Sequence, residues 1–211
     1  MKYSEFKNKF QNLPVIQAKE AIRLDKHNQA MRNQLTRWQK KGLLVKLKRS
    51  YYLLNENDRK ISPTKCFIAN LLYQPSYVSL EYALSRYGLI PERVTDITSI
   101  TTKKTTRFNN KLGSFIYQHI KRQAFRGFES LKETNSFSCL IAGPEKAVVD
   151  FLYLNLSKLK GDTKAILGNS YRFQNLGILK KRKIMEFARI FNNCQLTAVS
   201  STFCEFIKER K

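Results

Sequence analysis

Apolar positions recur first with helical spacing and then with strand spacing through the N-terminal quarter of the chain. Tyr3, Phe6 and Phe10 stand at i, i+3 and i+7, which predicts a helix over residues 2–12, with Pro14 just beyond it. Val15, Ala18 and Ile22 predict a second helix over residues 15–24, followed by a turn at Asp25-Lys26-His27-Asn28. Met31, Leu35 and Trp38 share one face of a third helix, which starts near His27–Asn28 and ends near Lys41, with Gly42 as its stop. Leu43 to Lys48 then alternates. Leu43, Val45 and Leu47 fall on one side, and Leu44, Lys46 and Lys48 on the other. Arg49-Ser50 turns the chain and Tyr51 to Leu54 returns it. Helix, turn, helix and basic hairpin, in that order, predict a winged helix-turn-helix.

The polar run Asn55 to Lys60 reads as a linker, dividing the chain into residues 1–58 and 59–211. Beyond it the pattern predicts a helix entered by Ser62-Pro63, with the proline in its first turn. A short extended piece at Ser76–Val78 follows, then a helix from Leu80 to Tyr87 capped by Ser79 and closed by Gly88. The period then becomes alternating. Val94–Thr102, Ser114–Ile120 and Phe137–Ala142 read as strands, Phe125–Phe128 as a short edge strand, and Asn109–Gly113 as a turn. Helices are expected from Pro144 to about Leu156, near 180–192 and over 195–208. The fold class is therefore α+β, with an N-terminal winged helix-turn-helix followed by a mixed domain of antiparallel sheet and helices.

Composition narrows the partner. The chain of 211 residues is 42% hydrophobic, enough to bury a core, yet carries 39 basic against 16 acidic residues, a formal charge of +23. Residues 1–54 hold 13 Lys/Arg and 3 Asp/Glu, and residues 101–132 and 158–183 each hold 8 against 1. Charge of that size points to a polyanion, and its spread leaves the second part facing either nucleic acid or an acidic protein.

The third helix carries the candidate chemistry. Behind its apolar stripe lie Gln29, Asn33, Thr36 and Lys40, flanked by Arg32 and Arg37. Asn and Gln can pair bidentately with adenine and Arg with guanine, so this face suits a major groove; it also fits an ordinary solvated face. The basic hairpin that follows tips the balance. Lys40, Lys46, Lys48 and Arg49 are expected on phosphates. Cys66, Cys139, Cys194 and Cys204 show no metal-ligand spacing and predict a reducing, cytoplasmic protein with no disulfides. The first residues are too polar for a signal peptide, and no apolar run approaches a membrane span. With no phosphate loop, no paired carboxylates at helical spacing and only His27 and His119, the sequence predicts no enzyme, no cofactor and no metal.

Several blocks match a known family. Gln34-Leu35 to Gly42-Leu43 and the Leu47–Leu54 hairpin resemble the winged helix of the AbiEi-type antitoxins, which belong to AbiE type IV toxin–antitoxin systems. Tyr77 to Leu84 and Tyr87 to Pro91 resemble the family's SLESALSYHGLIPE block. Thr98–Lys104 with Arg107-Phe108 resembles its basic strand pair, Leu112 to Ile120 its LGTFEYRHL strand, and Ile141 to Asp150 its A-x-PEKALLD helix start. The chain departs at Ser50, where glycine is expected, and matches loosely over its last 50 residues. The resemblance implies a repressor of its own operon that binds promoter inverted repeats. It also implies an antitoxin that counteracts a nucleotidyltransferase-type toxin without a stable complex. Lys103, Lys104 and Arg107 are the expected antitoxic surface. A plain transcription factor, or a basic RNA- or protein-binding module, are the competing expectations.

Overall fold

The computed structural model describes residues 1–24, 28–132 and 137–210. The turn expected at Asp25-Lys26-His27 lies outside them. Helix α1 (Tyr3–Phe10) packs Phe6 and Phe10 onto Trp38 and Met31, with the Phe6 and Trp38 rings 4.7 Å apart. Only part of the expected second helix forms. Ile16–Gln17 is instead a strand, β1, that pairs with Tyr52 and Tyr51, and the helix α2 is confined to Ala18–Arg23. Helix α3 (Asn28–Lys40) buries Met31, Leu35 and Trp38 as their spacing predicts. Gly42 ends it at φ +74: its N–H bonds to the Gln39 carbonyl, and the Leu43 N–H reaches the Trp38 carbonyl at 2.9 Å. These paired bonds satisfy the last carbonyls and need a left-handed residue, which glycine adopts without a Cβ clash.

Strands β2 (Leu44–Lys48) and β3 (Tyr51–Leu54) form the hairpin and, with β1, an antiparallel sheet of order β1-β3-β2. Val45 and Leu47 share one side as expected, but the opposite side is buried as well. Leu44, Tyr52 and Leu54 bury against α1 and α3, while Val45, Leu47 and Leu53 pack on a second core. Leu47 follows Val45 to that side by simple alternation; the bulge between Lys46 and Lys48 leaves Leu47 unpaired and carries Lys48 to the same side. At the tip Ser50 sits at φ +67, the region where glycine is at ease, and its carbonyl accepts from the Ala18 N–H at 2.8 Å.

Beyond the hairpin the chain is tied back to α1. Asp58 accepts from the Tyr3 hydroxyl at 2.7 Å and pairs with Lys7 at 2.6 Å, so both hold its carboxyl below the usual range, Lys7 more than Tyr3. A depressed carboxylate stabilises above its unfolded pKa near 4, and that contribution is lost as pH falls through the folded value. Asp58→Ala is expected to cost about 1 kcal/mol in urea melts at pH 7, given its partly exposed position. The difference from wild type should close as the melts are repeated toward pH 3.

The second core begins with α4 (Lys65–Leu72). Thr64 caps it by accepting from the Phe67 N–H, so Pro63 precedes the cap rather than standing in the first turn. Strand β4 (Ser76–Val78), helix α5 (Leu80–Arg86) and strands β5 (Ile97–Thr101), β6 (Thr106–Asn110) and β7 (Gly113–His119) follow. After them come β8 (Phe128–Lys132), β9 (Ser138–Ala142) and α6 (Pro144–Leu154). The chain closes with α7 (Thr163–Ala165), α8 (Lys181–Ile190) and α9 (Cys194–Glu209). The sheet order is β6-β7-β5-β4-β9-β8. This sheet is mixed, not antiparallel: β4 runs parallel to β9 and β5 parallel to β7. Long connections through α5 and the β6 excursion allow those pairings, which local patterning cannot reveal. The edge strand expected at Phe125–Phe128 starts only at Phe128 and continues to Lys132.

The expectation of no disulfides is corrected. Cys66 on α4 and Cys139 on β9 are joined, with Cα atoms 5.7 Å apart, because α4 lies across β9. Their separation of 73 residues carries no spacing signal. The expectation of a reducing compartment, which rested on free cysteines, loses that support. Among the described residues no helix is long and apolar enough to cross a membrane.

Candidate nucleic-acid interface

A cleft of about 510 Å³ opens between α2, α3 and the hairpin. Lys19 of α2, Arg32 and Thr36 of α3, and Lys46, Arg49 and Ser50 of the hairpin line it. No carboxylate is among its described lining residues. The fold explains the gathering. Burying Met31 and Leu35 forces Arg32 and Thr36 outward, and the β2–β3 pairing sets Lys46 opposite Tyr52 beside them. Like charges lining one cleft focus a positive potential on whatever enters it.

Arg32, Thr36, Lys46 and Arg49, chosen from sequence, come together in this cleft. Lys19 joins them and was missed; it lies on the solvent side of α2, one residue after the buried Ala18. Gln29, Asn33, Arg37 and Lys40 are exposed along α3 outside the cleft. Gln29 donates to the Asn33 side-chain oxygen at 3.3 Å, and the Thr36 hydroxyl donates to the Arg32 carbonyl at 3.1 Å. Asn33 therefore keeps its amide donors, while Thr36 spends its proton within the helix.

Lys48 is not brought to the cleft. Its ammonium donates to the Leu72 carbonyl and lies 4.2 Å from the centre of the Tyr51 ring. Burial, and then the Lys103 charge, lower its pKa. The bulge at Leu47 accounts for the turn-away, since it shifts the strand's facing by one residue. Lys46→Ala should reduce the salt dependence of DNA binding by about 0.9 in log K per decade, whereas Lys48→Met should leave that slope unchanged. Titrations at three salt concentrations read both.

Lys103 and Lys104 line a separate open recess with Tyr73 and His119, and the Lys103 ammonium stands 5.5 Å from the Tyr73 ring centre. Arg107 is not with them. It lies out on β6, bonded to Asn109 at 2.9 Å and Ser114 at 2.7 Å, with Asp96 at 3.7 Å.

The burial of one polar group, and the partners it finds there, was missed. Asp150 on α6 is fully buried and accepts from the Tyr77 and Ser79 hydroxyls, both at 2.9 Å, and from Lys146. Ser79 therefore does not cap α5. Burial raises the Asp150 carboxyl against the opposing pull of Lys146, and burial lowers Lys146. The i, i+4 spacing of Lys146 and Asp150 was the available signal. Glu145, beside them, accepts from the Lys180 N–H at 3.1 Å and so joins the start of α8 to α6.

No family model matches the chain, and no curated protein is significantly similar to it.

Proposed function

We propose that the protein is a winged-helix DNA-binding repressor of its own operon and the antitoxin of a type IV toxin–antitoxin system. The observation that carries the DNA reading is the basic cleft between α3 and the hairpin, lined by Lys19, Arg32, Lys46 and Arg49 with no carboxylate among its described lining residues. Such a cleft suits a phosphate backbone, and the exposed amides of α3 suit base edges beside it. The element order of residues 3–54 supports the same reading: α1, β1, α2, α3 and then the hairpin is the order of a winged helix-turn-helix. In this reading residues 1–58 are the DNA-binding domain and the protein works in the cytoplasm, on promoter DNA.

The antitoxin role rests on the resemblance of residues 77–150 to the AbiEi-type blocks. Lys103 and Lys104 are its proposed surface. The function is tested in two steps. Selection from a random duplex pool should enrich a consensus with inverted repeats, and an unenriched pool would refute base reading. Co-expression with a nucleotidyltransferase encoded beside the gene should restore growth. Enrichment without rescue would reduce the protein to a transcription regulator.

A further inference from the structure

We infer that the bound duplex extends past the hairpin onto the β6–β7 turn, where Lys111 takes a phosphate of the flanking backbone. This deepens the DNA reading above and rests on it. A second groove, of about 420 Å³, adjoins the α3 cleft by sharing Lys46. Gln39 of α3, Lys46 and Lys48 of β2, and Asn109, Asn110 and Lys111 line it, again with no carboxylate among its described lining residues. The proposed track runs through both grooves, which share Lys46, from the N-terminal sheet onto the larger one.

The track is held in place. The Asn110 side chain donates to the Leu47 carbonyl at 3.0 Å, and Lys48 donates to the Leu72 carbonyl. Val15, Leu47 and Leu53 are buried in the second core. The hairpin therefore cannot shift without breaking these contacts, and Lys111 keeps its position relative to Lys46. The turn itself is tight. The Leu112 N–H donates to the Asn110 side-chain oxygen at 2.8 Å, and Gly113 adopts φ +125. Lys111 is left exposed at the tip. The Lys65 ammonium adds charge close by, 3.7 Å from where a Cβ on Gly113 would stand. Lys48 is occupied by Leu72, so Lys46 and Lys111 are the exposed cations among the described residues of this groove. Phosphates at regular intervals along a duplex match cations fixed along a track, and each one neutralised releases a condensed counterion.

The test uses the full chain, a duplex from upstream of its own gene, and a scrambled duplex of equal length, over a salt series. Lys111→Ala and Lys111→Glu should lower the salt slope by about 0.9 or more and weaken binding roughly fivefold to tenfold near 0.1 M salt. Both duplexes should be affected alike, so their affinity ratio stays unchanged. Lys46→Ala serves as the internal reference, and Lys183→Ala, an exposed cation on α8, should change nothing. If Lys46→Ala lowers the slope and the Lys111 variants do not, the extended track is overturned while the DNA reading stands. If neither lowers it, both fall together.

Discussion

Asp150→Ala is expected to destabilise the protein by about 3–5 kcal/mol, the largest effect of any single substitution considered. Lys146 and Asp150 are 1% and 0% exposed, so removing the carboxylate strands an ammonium inside the core. It also leaves the Tyr77 and Ser79 hydroxyls, which donate to Asp150 from β4 and the start of α5, without their acceptor. One side chain thus joins α6 to β4 and α5. Thermal melts should fall by roughly 6–20 °C for a chain of this size. A shift of under 2 °C would show that the cluster contributes little.

Lys146→Met probes the same site through pH. Burial already raises the Asp150 carboxyl in the wild type against the pull of Lys146, and without that cation it rises further. A group raised in the folded state contributes stability below the unfolded pKa, near 4, and loses it as pH climbs toward the folded value. The gap between Lys146→Met and wild type should therefore widen from pH 4 to pH 7, by up to about 1.4 kcal/mol per unit. A constant gap would mean that the carboxylate finds another partner.

The second large effect belongs to recognition. Asn33→Ala should cost about 1–3 kcal/mol of discrimination at one base position, with little change in binding to scrambled DNA. Asn33 is exposed on α3, and Gln29 fixes its side-chain oxygen while its amide donors stay available. The second lone pair of that oxygen and the amide donors together match the donor and acceptor that adenine presents. If the variant keeps the full preference for the selected consensus, Asn33 does not read a base. Phosphate contacts behave differently: their loss weakens all duplexes alike.

Local chemistry was the legible part of this chain. The buried triplet Met31, Leu35 and Trp38, the Gly42 stop and the Pro144 helix start all appear where periodicity and capping place them. Long-range pairing was not legible. Val78 lies parallel to Ile141, and Ile97 to Phe115, across connections whose spacing says nothing of direction. The hairpin shows why a correct element can still be misread. Its two apolar faces both find cores, and a single bulge sends Lys48 toward the larger one beside Val45 and Leu47. Alternation alone assigns one face to solvent. Ser50 was flagged as out of place because such turns favour glycine, and it does adopt a glycine-like φ. The Lys146–Asp150 pair went unread for another reason. Charged residues in an apolar helix are usually taken as its wet edge, and nothing local shows that Tyr77 and Ser79 come to meet them.

The most direct test of the central claim is a titration of the protein against DNA from upstream of its own gene. A scrambled duplex of equal length is run beside it at several salt concentrations. The account predicts tighter binding to the native duplex. Log K should fall by about 0.9 per phosphate contact for each decade of salt on both duplexes. Combined Arg32→Ala, Lys46→Ala and Arg49→Ala substitutions in the α3 cleft should lose most of the affinity. Equal affinity for both duplexes, unchanged by those substitutions, would contradict it and leave α3 as no more than a basic helix face.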